Sequence, residues 1–296
     1  MKALYLFSIF LWISSVAFAQ DDLLDVLEQE TEDEPAFVYA TFKGSRLING
    51  HTIETRGTNE LEFLISHRFG PVSGGGYELF GLDQANIRLG LSYGINDRLT
   101  VGLGRSSFEK TYDGYLKYRL LRQSNSGKKT PLSITLFGSA TYITLRDQIY
   151  ETASNRMTYT TQALIARKFS PAFSLQLMPT YIHFNLTTTT QLDQDLFALG
   201  IGGRLKLTRR VSINAEYYPR LNATSTLYYD AFAVGFDIET GGHVFQFHLT
   251  NSRPMIEKGF IAETTEDFFA GDMRLGFNIS RSFNLGKKHR KKQQWD

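Results

Sequence analysis

Apolar and polar residues alternate strictly along residues 86–95 of the chain. The odd-numbered positions are apolar, whereas the even-numbered positions are polar or small and include Arg88. A β-strand turns successive side chains to opposite faces, so this alternation is typical of a strand with one apolar and one polar face. The segment therefore predicts a two-faced strand whose Arg88 lies on the polar side.

The same alternation recurs in about twelve segments between residues 59 and 285. This number and spacing are typical of a membrane β-barrel whose apolar face meets lipid and whose polar face surrounds a lumen. The segments are 60–66, 86–95, 99–104, 115–120, 132–137, 158–165, 173–177, 197–206, 211–217, 232–239, 245–250 and 273–283.

The connections between these segments alternate in length, which distinguishes a membrane barrel from a soluble β-sandwich. Four connections are tight, at 95–98, 170–172, 208–210 and 240–242. Five are longer, at 70–83, 146–156, 187–195, 220–230 and 251–270. Tight periplasmic turns and long external loops are typical of outer-membrane barrels, and an even strand number leaves both termini in the periplasm. One connection on the periplasmic side, 123–130, is longer than the tight turns expected there. We therefore predict an all-β fold, a transmembrane antiparallel β-barrel of about twelve strands.

The start of the chain has the features of a secretory signal. An apolar stretch at 4–13 follows Lys2, and Ala17, Phe18 and Ala19 form a small-x-small cleavage site. The stretch is shorter than the roughly 20 residues that a spanning helix needs. We predict a signal peptide at residues 1–19. The chain contains 0 cysteines, which leaves neither a lipoprotein anchor nor a disulfide framework.

Three further segments are predicted around this signal. Residues 20–58 comprise an acidic part, interpreted as a short helix and linker or as a periplasmic docking element, and then a hairpin or plug near the barrel mouth with a turn at Asn49 and Gly50. The barrel covers residues 59–285. Residues 286–296 form a basic periplasmic tail, which is either solvated or attracted to anionic headgroups or to the acidic segment.

The overall composition narrows the choice of partners. The chain carries 32 Lys+Arg against 30 Asp+Glu, which provides no global basic surface for nucleic acid. We predict outer-membrane lipid and the barrel assembly machinery as partners, with a possible periplasmic partner at the acidic segment or the basic tail. No cofactor is predicted, because no cluster of metal-ligating residues is visible in the sequence.

Several runs resemble a family of Gram-negative outer-membrane β-barrels classed as a domain of unknown function. They are residues 66–70, 86–96, 99–106, 115–122 and 276–283, together with 42–54. The resemblance covers most of the chain after the signal. It implies the fold and the outer membrane, and it supplies no activity and no catalytic residue.

The inward faces of the predicted strands carry charges of both signs. The candidate lumen-lining residues are Arg68, Arg88, Lys117, Arg119, Arg204, Lys206, Glu216, Asp237, Glu239 and Arg274. A lumen of about twelve strands is narrow compared with a porin of 16–18 strands. The charges either form a paired polar core that closes the barrel or line a small watery path. Because basic residues outnumber acidic ones, such a path would have a mild preference for anions.

We predict a non-enzymatic barrel that acts as a narrow or plugged channel for small polar solutes. A structural or scaffold barrel is the first alternative and a lipid hydrolase the second. A hydrolase pair on one strand face needs serine two positions from histidine, and His183, His243 and His248 lack that partner. The longest external loop, 251–270, is expected to be solvated, with a constriction of the mouth or a partner site as alternatives.

Overall fold

The computed structural model describes residues 36–126, 129–189 and 192–286. The signal peptide, the acidic segment and nearly all of the basic tail lie outside these described residues. The strands are β1 (Glu60–Pro71), β2 (Ala85–Gly94), β3 (Leu99–Ser106), β4 (Thr111–Leu121), β5 (Ser133–Ile143), β6 (Met157–Lys168), β7 (Phe173–Phe184), β8 (Asp195–Lys206), β9 (Val211–Tyr218), β10 (Ala231–Thr240), β11 (His243–Thr250) and β12 (Arg274–Asn284). Among the described residues, one α-helix, α1, spans Glu257–Ala262, and 3-10 turns lie at Val72–Gly81, Phe108–Lys110 and Ser154–Arg156.

The strands form one closed barrel in which every neighbouring pair is antiparallel. Each strand pairs with the next along the chain, and β1 closes the ring against β12 from Glu60 opposite Asn284 to Arg68 opposite Gly276. Closure leaves no strand edge unpaired, which a barrel in lipid requires. The prediction of an antiparallel barrel of about twelve strands is confirmed.

The two ends of the barrel differ in their connections. We call the end with the short connections 95–98, 170–172, 208–210 and 240–242 the turn end, and the opposite end the loop end. The chain enters β1 and leaves β12 at the turn end, where the N–H of Leu285 donates to the carbonyl of Asn59 at 2.8 Å. Helix α1 lies in the connection between β11 and β12, at the loop end.

The described part of the chain divides into two compact units, residues 36–39 with 122–126 and 129–131, and residues 40–121 with 132–189 and 192–286. In the first unit, Phe37 forms a β-bridge with Ser124, and the N–H of Val38 donates to the carbonyl of Gln123 at 2.8 Å. The guanidinium of Arg122 lies 3.9 Å from the ring centroid of Tyr39. The connection that the sequence marks as unusually long is therefore paired with the segment that precedes the barrel unit.

The outer surface of the barrel is an apolar belt. Side chains at the outward positions, such as Leu103 and Leu116, remain 71% and 56% exposed, whereas inward neighbours such as Thr100 and Lys117 are buried. Alternation along each strand puts these two classes on opposite faces. The belt has the composition expected of a surface covered by lipid.

Among the described helices, none combines the length and the hydropathy needed to cross a membrane.

The inside of the barrel is only partly polar, unlike the polar lumen that the sequence predicts. Inward positions on β6 to β9 include Leu164, Met178, Ile182 and Tyr218, all at most 2% exposed. They pack in one cluster with apolar residues of the segment before β1 and of α1. Apolar inward residues are stable here because the lumen is filled with protein, so that they meet other apolar side chains and not water.

Candidate functional site

The segment before β1 folds into a hairpin inside the lumen; residues 40–57 are called the luminal hairpin. Arg46 pairs with His51, and the N–H of Leu47 donates to the carbonyl of Gly50 at 2.8 Å. The turn is therefore centred on Ile48 and Asn49, one residue earlier than predicted.

The tip of the hairpin is held by a single carboxylate from the wall. Glu216 on β9, which is 2% exposed, accepts the backbone N–H groups of Ile48, Asn49 and Gly50 at 3.3, 2.6 and 3.2 Å. Successive N–H groups converging on one anion form a strong charge-assisted site. Gly50 is required at this position, because a Cβ there would lie 1.8 Å from the hydroxyl oxygen of Tyr218.

The polar part of the wall binds the other side of the tip. Arg68 donates from Nη2 to Oδ1 of Asn49 at 2.7 Å. The amide nitrogen of Asn278 donates to the carbonyl of Ile48 at 2.9 Å, and that of Gln246 donates to the carbonyl of Leu47 at 2.5 Å. These donors satisfy backbone carbonyls that would otherwise be buried without partners.

The second arm of the hairpin lies along β3, β4, β5 and β7. The side-chain amide of Gln176 accepts the N–H of Ile53 and donates to the carbonyl of His51, both at 2.8 Å. Thr135 donates to the carbonyl of Ile53 at 2.8 Å, and Lys117 donates to the carbonyl of Glu54 at 2.5 Å. The wall thus binds this arm mainly through its backbone.

A second segment fills the lumen from the loop end, so the expectation of a solvated loop at 251–270 is wrong. Every residue of α1 is buried, and Phe260 packs edge-on against Tyr218 with ring centroids 5.0 Å apart. Its first residue, Glu257, accepts a hydrogen bond from Nη1 of Arg46 at 2.7 Å. The apolar residues of α1 explain the difference, because they gain stability by joining the luminal cluster.

Another ion cluster anchors α1 at the loop end. The ammonium of Lys258 donates to Glu263 at 2.8 Å and to Glu109 at 3.1 Å. Burial by itself would lower the pKa of Lys258, but the charges of Glu263 and Glu109 outweigh it and hold that pKa above its usual range. The lysine is therefore charged at all physiological pH values and stays paired.

One cavity between the hairpin and the wall is small. A cavity of about 20 Å³ lies beside Ser45 and Arg46, facing Asp237, Gln246 and Asn278 on the wall. A void of this size holds about one water molecule.

The ten candidate residues from the sequence fall into two groups by burial. Seven are buried, namely Arg68, Arg88, Lys117, Arg204, Glu216, Asp237 and Arg274. Three are only partly buried, namely Arg119, Lys206 and Glu239.

Several of the buried candidates act as anchors for the hairpin. Arg68 and Glu216 meet at its tip, as described above. Arg204 donates to the carbonyl of Thr41 at 3.3 Å, and the partly buried Glu239 forms an ion pair with Lys43. These contacts bring residues from distant strands to one segment.

Two other candidates are neutralised by acids outside the predicted set. Arg88 forms a bidentate pair with Asp113, with Nε to Oδ1 at 2.9 Å and Nη2 to Oδ2 at 2.5 Å. Arg274 pairs in the same way with Glu266 of the long loop. Both pairs reduce the basic excess from which an anion preference follows, because paired charges attract ions only weakly.

Sequence reasoning missed several residues of this site. Asp113 lies two residues before the predicted segment at 115–120, on the same face, so extending the alternation backwards would have found it. Gln176, Gln246 and Asn278 were already on inward faces but carry no charge. Arg46 and Glu257 had no signal, since each lies outside the strands.

We expect His51 to make the docking of the hairpin depend on pH. Its ring lies 4.5 Å from the ring centroids of both Tyr115 and Phe137. Burial lowers the pKa of His51 well below its usual range, and the charge of Arg46 lowers it further. The ordinary pKa of histidine is about 6.5. At pH values between this pKa and the lowered pKa of docked His51, the undocked hairpin binds a proton that the docked hairpin excludes, so acid weakens docking.

We therefore expect faster hydrogen exchange of residues 46–53 at low pH. Lowering the pH from 7.5 to 5.5 should raise the exchange rate, corrected for intrinsic chemistry, by about tenfold. The variant His51→Gln, which stays neutral, should show a smaller change over the same range. Equal pH dependence in both proteins would contradict this role of His51.

His248 does not form the serine pair that a hydrolase needs. It is 4% exposed, and within the described residues neither of its ring nitrogens has a hydrogen-bond partner. Over the same part of the chain, no group of three or more His, Cys, Asp or Glu is placed to hold a metal ion.

These features define a membrane-bound β-barrel with an occupied lumen. The membrane-bound beta barrel domain family, DUF5777, matches residues 42–283, and the chain belongs to this family. The resemblance stated from the sequence is therefore confirmed. A closed antiparallel barrel with an even strand number and an apolar outer belt is the architecture of bacterial outer-membrane proteins, and the outer membrane is the location of this protein.

Solved structures with a similar fold include three outer-membrane proteins. The NanC porin aligns with TM-score 0.46 and 9% identity over 76% of this chain and 100% of that chain. The KdgM porin gives 0.46 and 10% over 76% and 99%. Omp33 of Acinetobacter baumannii gives 0.44 and 9% over 76% and 98%. No curated protein matches the sequence of this chain.

Proposed function

We propose that this protein is a narrow, gated, non-enzymatic channel for small polar solutes, here in its closed state. The observation that supports it is the double occupation of the lumen. The luminal hairpin enters from the turn end, α1 enters from the loop end, and the two meet at the ion pair between Arg46 and Glu257. Neither segment belongs to the wall, so both can leave without breaking the barrel.

The contacts between the hairpin and the wall are suited to exchange. Most are hydrogen bonds between the backbone of the hairpin and polar side chains, such as Glu216, Gln176 and Lys117, which water can replace when the hairpin leaves. Net hydrogen-bond contributions of this kind are about 0.5–1.5 kcal/mol each, more for charged groups. The interface is therefore strong in sum but open to stepwise release.

The wall that the hairpin covers would line the open path. Its basic residues Arg68, Lys117 and Arg204 face the acidic residues Glu62, Glu216 and Asp237, all of which are buried by the hairpin or beside it. A path lined by similar numbers of positive and negative charges admits polar solutes and discriminates only weakly between anions and cations. Ion selectivity close to neutral follows for the open state.

A disulfide lock tests this function. Leu47 touches Gly202 on β8, since a Cβ on Gly202 would lie 2.2 Å from Cδ2 of Leu47, and the chain has no cysteine of its own. The double variant Leu47→Cys/Gly202→Cys should therefore cross-link the hairpin to the wall. In planar bilayers we expect ion conductance under reducing conditions and its loss on oxidation.

The single variant Leu47→Cys is the matched control and should conduct equally in both conditions. Equal conductance of the oxidised and reduced double variant would show that ions do not pass through the lumen. Absence of conductance in every form, including the unsubstituted protein, would contradict a channel and favour the scaffold alternative.

A further inference from the structure

We propose that the solutes of this channel are short peptides bound through their backbone groups, and that the luminal hairpin occupies their binding path. This inference rests on the proposed channel function. It names the chemical class that the wall recognises when the hairpin is absent.

The first argument is that the wall contacts the hairpin through backbone groups more than through side chains. Three consecutive N–H groups at the turn of the hairpin converge on Glu216, and the carbonyls of Leu47 and Ile48 accept from Gln246 and Asn278. Backbone groups are the same in every peptide. A wall that binds them is complementary to peptides of many sequences.

The geometry of Gln176 supplies the second argument. Its side-chain amide donates to the carbonyl of His51 and accepts from the N–H of Ile53, which flank Thr52. A residue on a parallel strand makes the same two bonds, to the carbonyl before and the N–H after its partner. Gln176 therefore takes the place of a neighbouring strand, as in recognition of extended peptides by strand addition.

A third argument comes from the two-sided chemistry of the lumen. The polar residues lie opposite an apolar surface formed by Leu164, Met178 and Ile182, against which Leu47 and Ile53 of the hairpin pack. An extended peptide presents polar backbone and apolar side chains in this way. A sugar presents hydroxyl groups on most of its surface and would leave some of them against apolar atoms, which costs free energy.

The test uses full-length Arg46→Ala, in which the hairpin is loosened and the wall is unchanged, with Gly50→Ala as a second such variant. The probe is the capped peptide Leu-Ile-Asn-Gly-His-Thr-Ile, the sequence of residues 47–53. Its analogue, N-methylated at the residues that correspond to Asn49, Gly50 and Ile53, has the same side chains but lacks the N–H donors to Glu216 and Gln176. A trisaccharide is the second control.

We expect the capped peptide to block ion conductance at concentrations at least tenfold lower than the N-methylated peptide or the trisaccharide. Adding Gln176→Ala should weaken the peptide block about tenfold. Gln162→Ala should not change it, because Gln162 is a luminal glutamine whose side chain, among the described residues, bonds to Thr180 of the wall and not to the hairpin. The block by the trisaccharide should be the same in both variants.

Two failures are distinguishable. If ions pass but the three probes block equally, or if Gln176→Ala and Gln162→Ala behave alike, the peptide inference is wrong and the channel function stands. If neither loosened variant nor the unsubstituted protein conducts ions, the channel function fails and the inference fails with it.

Discussion

Substituting Gly50 by alanine is expected to release the luminal hairpin from its site. The added Cβ would lie 1.8 Å from the hydroxyl oxygen of Tyr218, a ring that is 0% exposed and bonded to Met178. Overpacking a tight interior costs about 1–3 kcal/mol. Since each 1.4 kcal/mol is about a factor of ten, the undocked population should rise by about 10–100-fold.

Trypsin cleavage after Arg46 measures this release independently of any conductance. Arg46 is 8% exposed and paired in the docked hairpin, so cleavage requires undocking. The matched control is Gly44→Ala, because a Cβ on Gly44 approaches no atom closer than 3.7 Å. Similar cleavage rates in the Gly50 and Gly44 variants would show that the tip is not tightly packed against Tyr218.

Substituting Arg46 by alanine is expected to loosen α1 as well as the hairpin. The change leaves the carboxylate of Glu257, only 4% exposed, without its 2.7 Å partner. Removing one member of a buried ion pair costs about 3–5 kcal/mol. The two segments enter from opposite ends. A substitution in the hairpin should therefore change the exposure of α1 at the loop end.

The reporter for this effect is a cysteine at Ala262, a residue of α1 that is 0% exposed. In the Arg46→Ala background, a bulky maleimide should label Ala262→Cys about 100-fold faster than in the otherwise unsubstituted protein. Adding Glu257→Ala should restore much of the protection, since no unpaired charge then remains. Labelling within twofold of the reference would contradict the coupling of the two segments.

Much of the barrel could be predicted because alternation is a local property. Residues 86–95 alternate whatever the rest of the chain does, and the same pattern locates each of the twelve strands. The lengths of the connections add the direction of the barrel. The family resemblance and the outer-membrane location follow from the same local runs.

The contents of the lumen were much less predictable. Loop 251–270 mixes charged and apolar residues, but the burial of α1 depends on an apolar surface to which several strands contribute. The apolar inward positions on that surface look like exceptions in a membrane barrel. The protein segments that fill the lumen explain these positions, because they bury the apolar side chains away from water.

The sequence by itself determined the strands, the faces of their side chains and the inward charges, since these depend on neighbours one or two residues away. Tertiary structure alone decided the partners of those charges. Glu216 meets Asn49 across 167 residues, and Arg46 meets Glu257 across 211. Such contacts depend on closure and register around the whole ring. The strand at 86–95 could thus be predicted locally, whereas the pairing of its Arg88 with Asp113 required the folded barrel.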